Sequence, residues 1–498
     1  MDGVVERELK LDPPSTFSLA RMQPRLDGFI ASPAGFKRLH TVYYDSPDLR
    51  LTRWGCSLRF RRGDGWTLKI PVPTKSQALF REEHVFPGDC SRVPDAALDL
   101  ATAYLRGAMP EPVAELRTLR TTRHVLSDGG DDLAEVVEDD VRVVDGTHVV
   151  RRFQQVEIEL TAGTPDDVLD ELGGLLRGAG AGKPNPVPKD VYAIGERARE
   201  PEIAVPVLDP GVRIGDVVRA ALARSVERIV RNDAKLRLHA DEDAIHDARV
   251  AVRRLRSDLR TFLPLFEGTW ARGLRERLRW LADGLSAARD ADVLIEGLRR
   301  FGETLTDIDR CHLDDVLAPF RAARDAAYEH VRAMLRDERY VPLLQTLVDA
   351  AKRPLLEARA DELACEAIPS ILEDAWSTLR KRVRKRTRPP SDRELHAIRI
   401  AAKRVRYAAE AVEPVIGRAA RRLARTVADL QSTLGKQHDA VVACEQLRTL
   451  PRDGDRERAF LAGELVALAN LTALEARNAW RNPWRATKRE HRRLRRTF

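Results

Sequence analysis

Two 18-residue stretches, IHDARVAVRRLRSDLRTF from Ile245 and LHAIRIAAKRVRYAAEAV from Leu395, repeat one pattern at a displacement of 150. His246, Arg249, Arg253, Arg254 and Arg256 correspond to His396, Arg399, Lys403, Arg404 and Arg406. A second echo follows, in which LADGLSAARDADV from Leu281 matches LQSTLGKQHDAVV from Leu430 and sets Arg289–Asp290 against His438–Asp439. A chain that repeats itself at this spacing folds as a duplicated unit. Apolar residues recur at helical spacing through most of 214–482, so the unit is all-helical. The Pro389–Pro390 break divides it, and two helical bundles related by a pseudo-twofold are expected, spanning about 214–350 and 365–485.

Upstream the texture changes. CSLRFRR, WTLKIPV, REEHVF, AEVVEDDVRVV and FQQVEIEL alternate as strands do, and RRGDGW and SDGGDD supply turns between them. Helices are expected near 93–106 and 165–178. Closely spaced strands with hairpin-like turns imply an antiparallel barrel or a strongly curved sheet. A Pro-rich, aperiodic stretch at 197–213 reads as a linker, giving domains at 1–196 and 214–485 and a basic tail at 486–498. The chain is a multidomain α+β protein, and 498 residues exceed one ordinary core.

Charge divides the same way. Residues 1–200 hold 27 Lys and Arg against 32 Asp and Glu, which leaves 58 against 45 for the remainder. So basic a C-terminal part suggests a polyanionic partner. The five cysteines are scattered in no metal-ligand spacing, as in a reduced protein without a disulfide framework. With no leader and no apolar run long enough to span a bilayer, the expectation is a cytoplasmic protein.

In VERELKLD, residues 4–11, Glu6, Glu8 and Lys10 share one strand face. Later strands carry the same pattern: Arg59 with Arg61, Lys69 with Thr67, Arg81 with Glu83, Glu135 with Asp139, and Glu157 with Glu159. Periodicity alone is served as well by wet outer faces as by a charged lumen. A lumen collecting these faces must hold something ionic, because burying unpaired charge costs several kcal/mol per ion. Carboxylates suit Mg²⁺ or Mn²⁺, and Arg and Lys suit phosphate oxygens. Metal with polyphosphate explains both signs in one cavity.

Glu6-x-Glu8-x-Lys10 resembles the ExExK signature of the CYTH domain, the triphosphate tunnel metalloenzymes. YYDSPDLRL (43–51), LRFRR, WTLKIP, REE, LRTLRTTR (116–123), AEVVEDDV and QVEIEL extend the likeness in order over about the first 195 residues. The resemblance implies a barrel tunnel that hydrolyses a triphosphate with Mg²⁺ or Mn²⁺. It places Glu6, Glu8, Asp139, Glu157 and Glu159 on the metal side, with Glu157, Glu159 and Lys69 as catalytic groups. Lys10, Arg59, Arg61, Lys69, Arg81, Arg117, Arg120 and Lys189 fall on the phosphate side, and Glu83 is the mid-domain acid. Three positions keep alternatives: Arg120 is favoured with Arg117 over Arg123, Asp139 over Glu138, and Lys189 over Lys183.

On a helix His246, Arg249, Arg253 and Arg256 form one stripe. A single stripe reads as a solvated face, whereas its repetition suggests a cationic groove. HDARVAVRRLRS, LHAIRIAAKRVRY, AARDADV and GKQHDAVV resemble the CHAD domain, often fused behind CYTH. That resemblance implies inorganic polyphosphate binding by His246, Arg249, Arg253, Arg254, Arg256, His396, Arg399, Lys403, Arg404, Arg406, Lys436 and His438. The tail WRATKREHRRLRRTF adds nonspecific anion affinity or is a solvated end.

The expected function is metal-dependent hydrolysis of inorganic triphosphate or a short polyphosphate, coupled to polyphosphate binding. The rivals are a noncatalytic polyphosphate-binding or granule-associated protein, and a tunnel enzyme acting on thiamine or nucleoside triphosphate, including adenylate cyclisation. No helix-turn-helix, zinc finger or interleaved aromatics argue for specific nucleic-acid recognition, and no membrane partner is expected.

Overall fold

The computed structural model describes residues 4–23, 25–26, 29–72, 79–209, 211–238, 241–450 and 456–498. It comprises two compact units, Met1–Glu202 and Ile203–Phe498.

The strands of the first unit are β1 (Val4–Asp12), β2 (Arg25–Leu26), β3 (Phe29–Ala31), β4 (Gly35–Asp45), β5 (Ser57–Arg61), β6 (Gly65–Pro71), β7 (Leu79–Phe86), β8 (Glu111–Ser127), β9 (Asp132–Asp145), β10 (His148–Leu160) and β11 (Lys183–Pro184). Eight of them close in the order β8–β4–β5–β6–β7–β1–β10–β9, and β9 pairs back to β8. The expected curved sheet is therefore a closed antiparallel barrel, which leaves no long edge unpaired.

Its five helices are α1 (Arg50–Arg53), α2 (Asp95–Leu100), α3 (Thr102–Leu105), α4 (Asp167–Gly178) and α5 (Lys189–Ile194). The α2–α3 pair and α4 occupy the two stretches where helix was expected. The barrel is apolar outside and charged within. Leu9 and Leu11 of β1 and Val156, Ile158 and Leu160 of β10 pack against Leu169, Leu172 and Leu176 of α4. Alternation then turns Glu6, Glu8, Lys10, Glu157 and Glu159 to the lumen. Truncating a core leucine such as Leu172 to alanine costs about 2–5 kcal/mol.

Past β11 the chain stays tied to the barrel. Glu202 is buried and accepts from Trp54 Nε1 at 2.6 Å and Arg106 Nη2 at 2.6 Å. Of the linker expected over 197–213, Pro210 lies outside the described residues.

The second unit is helical: α6 (Ile214–Leu238), α7 (Glu242–Thr261), α8 (Trp270–Gly302), α9 (Asp307–Arg310), α10 (Leu313–Leu335), α11 (Tyr340–Lys352), α12 (Ala364–Lys385), α13 (Asp392–Ile416), α14 (Arg418–Leu447), α15 (Arg456–Ala479) and α16 (Arg481–Leu494). The succession α6–α7–α8 recurs as α12–α13–α14, as the sequence repeat requires. Both repeat helices start on a capped turn. Asp241 accepts from the Ala244 amide ahead of α7. Ser391 and Glu394 form a capping box ahead of α13. The two meet where Arg253 Nε donates to the Tyr407 hydroxyl at 2.8 Å.

The stretch Arg456–Leu494 contains an 18-residue window long and apolar enough to cross a membrane by composition. The alanines and leucines of α15 create it, and Leu461, Leu465 and Ala469 are core residues packed with Ala443 and Leu447 of α14.

Candidate functional site

Strand register brings the charged faces together. Across β1 and β10, Glu8 stands opposite Glu159 and Lys10 opposite Glu157. Glu6 faces Arg81 across β1 and β7, and Lys69 faces Glu83 across β6 and β7. Arg120 faces Asp139 across β8 and β9. One cavity in the barrel is lined by Glu6, Glu8, Lys10, Arg59, Arg61, Lys69, Arg81, Glu83, Arg120, Glu157, Glu159 and Lys189. Asp139, fully buried, joins them through Arg120 and Lys189.

Most of these charges are paired. Lys10 Nζ donates to Glu8 at 2.9 Å and also reaches Glu157. Lys69 Nζ lies 2.6 Å from Glu6 and 2.9 Å from Glu83, and Arg81 holds Glu8. Arg120 grips Asp139 through two bonds of 2.8 and 2.7 Å, and Lys189 sits 2.9 Å from the same carboxylate. Burial pushes the Asp139 carboxyl up, but Lys189 and Arg120 outweigh it and hold it well below the carboxylate range. Burial likewise opposes Glu8, which Lys10, Arg81 and Lys69 keep ionised. Lys10 is pulled down to about 7 by burial against the attraction of Glu8, with Lys189 and Arg81 adding repulsion.

Like charges gather at two poles of the cavity. Glu159 has no ion pair among the described residues, and burial with the neighbouring Glu6 carboxylate raises it to about 7. At the other pole Arg61 is lowered by burial and then by Arg59, with Arg120 also repelling it, although it pairs with Asp64 at 3.3 Å. The Nε atoms of Arg59 and Arg81 are buried without a hydrogen-bond partner. One wall gathers the carboxylates Glu6, Glu8 and Glu159, and another gathers Arg59, Arg61 and Arg120. The cavity is thus shaped for a cation at the first and an anion at the second.

Glu6, Glu8 and Glu159 form an all-oxygen donor set that suits a hard divalent cation. Among the described residues no three metal-ligating side chains already close into a cage, since Glu6 and Glu8 turn to Lys69, Lys10 and Arg81. Asp139 is held between Arg120 and Lys189, and Glu157 among Lys10, Lys189 and Arg120.

Arg117 does not enter the lumen. It stands three residues from Arg120, so alternation turns it to the other face, where its side chain is 60% exposed beside Glu115. Arg123, also odd-numbered, is spent on the Ser32 and Met22 carbonyls. Glu138 accepts from the Leu19 amide on the far face, and Lys183 is exposed in β11. Tyr43, Ser57 and Asp190 line the cavity without having been singled out. Ser57 shares parity with Arg59 and Arg61 in SLRFR, which was the available signal.

In the helical unit, α7, α13 and α14 gather Arg249, Arg253, His396, Arg399, Lys403 and His438. The His396 and His438 rings lie 4.2 Å apart. Burial, then His396, Arg399 and Lys403, lower His438 to about 4. Lys403 falls to about 7 through burial and the repulsion of Arg399, Arg253 and Arg249. Several cations of the stripes are already paired: Arg249 with Asp290 at 2.7 Å, Arg254 with Glu410 at 3.0 Å, Arg406 with Glu410 at 2.8 Å, and Arg404 with Asp374. Arg256 and Arg404 both bear on Arg275, while His246 and Lys436 are exposed.

The CYTH domain family model matches residues 4–177, and the CHAD domain model matches residues 220–448. An uncharacterized protein of Mycobacterium tuberculosis H37Rv, Rv2226, is 30% identical over 442 residues, 82% of each chain. The CHAD domain crystal structure from the plant Ricinus communis is 26% identical, covering 56% of this chain and 96% of its own, with a TM-score of 0.44. A Hippeastrum adenylyl cyclase candidate described as having a dominant triphosphatase activity is 18% identical, covering 39% of this chain and 95% of its own, with a TM-score of 0.26. The chain belongs to the family in which a CYTH domain is followed by a CHAD domain.

Proposed function

We propose that the barrel hydrolyses a linear triphosphate and that the helical unit binds inorganic polyphosphate. The observation that carries the first part is the two-pole lumen, with Glu159 beside Glu6 and Glu8 on one side and Arg61 beside Arg59 and Arg120 on the other. Mg²⁺ or Mn²⁺ at Glu6, Glu8 and Glu159 would neutralise phosphate oxygens and polarise the anhydride phosphorus.

The chain's own groups supply the rest. Arg59, Arg61 and Arg120 hold phosphate oxygens, with Lys10 and Lys189 behind them. Lys69, between Glu6 and Glu83, neutralises charge developing on the leaving phosphate. Glu159, or Glu157 on the same strand face, accepts the proton of the attacking water. The P–O bond of the terminal anhydride breaks, releasing orthophosphate and, from inorganic triphosphate, diphosphate. Tyr43 is the one aromatic side chain on the described lining, so nothing there sandwiches a base, which supports an inorganic substrate over a nucleotide.

Phosphate release from inorganic triphosphate, thiamine triphosphate and ATP with Mg²⁺ or Mn²⁺ tests this, against a Glu6→Ala/Glu8→Ala control. Release no faster than the control ends the enzymatic reading and leaves a ligand-sensing tunnel. For the helical unit, the supporting observation is the mutual repulsion of Arg249, Arg253, Arg399 and Lys403, which a bound anion relieves. Polyphosphate affinity unchanged in Arg253→Ala/Lys403→Ala would remove this groove from the site.

A further inference from the structure

A second strongly basic surface of the helical unit lies on α12 and α16. From Arg380 to Arg388 there are seven basic residues and no acid, and from Arg481 to Arg496 eight basic residues with Glu490 alone. These segments pack side by side. Trp376 of α12 stacks on Trp484 of α16 at 5.4 Å and on His491 at 3.8 Å, and Arg386 lies 5.1 Å over the Trp480 ring. Numbers that rise along α12 fall along α16, so the helices run antiparallel.

Cations meet across that seam at both ends. Arg495 and Arg380 both bear on His491, which burial and then these two charges lower to about 4. At the other end Arg388 and Arg481 both bear on Arg386. Helical spacing puts Arg380 and Arg384 in one row on α12, with Arg388 just past that helix's end, and Arg481, Lys488 and Arg495 in a row along α16. None of these six has an ion pair among the described residues. The nearby acids are engaged: Glu490 with Arg422 and Arg493, and Glu373 with His491. Repulsion of this density is unfavourable in the isolated chain and is relieved by a polyanion.

The shape selects among polyanions. At 1.5 Å per residue the α16 row runs about 21 Å, and packed helices set the two rows roughly 8–10 Å apart. Two such rows match the phosphates bordering a groove about 12 Å wide in a duplex. A membrane surface fits poorly, because Trp480 and Leu494 of α16 are buried rather than free to insert. A single strand fits poorly too, because the rings along α16 are stacked inward and offer no platform for bases. The α16 row also lies beyond the residues that match the CHAD model.

We propose that the α12–α16 face docks the phosphate backbone of duplex nucleic acid without regard to sequence. The test is fluorescence anisotropy of the full chain with two labelled 25-base-pair duplexes of unrelated sequence, from 50 to 200 mM salt. Both duplexes are expected to bind within twofold of each other. Six phosphate contacts predict a log–log salt slope of about −5. Arg384→Glu/Arg481→Glu/Lys488→Glu should weaken binding at least tenfold and flatten the slope by about three, leaving triphosphate hydrolysis unchanged. The glutamine triple variant, which keeps side-chain size, should give a smaller loss in the same direction. Wild-type chain that fails to bind either duplex overturns the proposal, as does a folded triple variant that binds undiminished. So does duplex binding lost in Arg253→Ala/Lys403→Ala instead, or binding to phosphatidylglycerol vesicles that duplex cannot displace.

Discussion

The barrel lumen and the α7–α13 groove both concentrate charge, and they hold it in different ways. In the lumen the signs alternate from strand to strand, so nearly every buried carboxylate meets a lysine or arginine within 3 Å, as Glu6 meets Lys69 and Asp139 meets Arg120. In the groove Arg249, Arg253, Arg399 and Lys403 share one sign, and burial first and then the repulsion of the other three depress Lys403. A closed barrel can carry so much buried charge only because it is internally neutralised. The helical groove carries its like charges partly buried and at a cost, so it gains most when an anion arrives. The first arrangement favours a small ion held at defined atoms, the second a polymer bound by charge density.

Four changes would break or sharpen that contrast. The largest effect is expected at Glu159, the carboxylate the lumen leaves unpaired. Glu159→Gln should lower phosphate release about a thousandfold, as loss of a proton acceptor does, with little change in the urea midpoint. A variant within tenfold of wild type would move the water-activating role to Glu157. Asp139→Asn should act the other way, on folding first, because it leaves Glu157 to neutralise both Arg120 and Lys189, and Lys10 as well. A loss of about 3 kcal/mol is expected from denaturant melts. A melt unchanged from wild type would mean the lumen does not depend on neutralisation.

In the groove, Arg253→Ala/Lys403→Ala should weaken polyphosphate roughly tenfold by titration, yet leave the helical unit no less stable, since it removes repulsion. The smallest effect concerns pH. An anion favours the charged form of Lys403, so binding takes up a proton whenever the free groove has lost it. Affinity should therefore fall as pH rises above about 7, by up to about tenfold per unit, and Lys403→Arg should flatten the dependence. Without ligand the sign for folding reverses. The unfolded chain keeps this proton to higher pH than the folded one, so Lys403 contributes rising stability from about pH 7 upward.

Local periodicity made much of the lumen readable in advance. Spacing of two is what carried Glu6, Glu8 and Lys10, and likewise Glu157 and Glu159, onto shared faces that register then turned inward. The same rule separates Arg117 from Arg120, since residues three apart on a strand oppose each other. Asp190 offered no such cue, because it reaches the lumen from the start of α5 rather than along a strand. The helical stripes were equally plain in their spacing. Which of their cations remain unpaired was not, because Arg254 and Arg404 are claimed by Glu410 and Asp374 from other helices. Pairing across elements is decided by packing, and no window of the sequence contains both partners.

The Glu202 anchor sets where the molecule can be cut. Arg106 and Trp54 sit in the barrel unit, and the carboxylate that binds both arrives nearly a hundred residues after Arg106, past the last strand. A tunnel fragment ending at 196, just before the Pro-rich stretch, would leave the Arg106 guanidinium buried without that counter-charge and lose about 3 kcal/mol. A fragment extended to 205 keeps the clasp, so dissecting catalysis from polymer binding begins nine residues later than the Pro-rich stretch suggests.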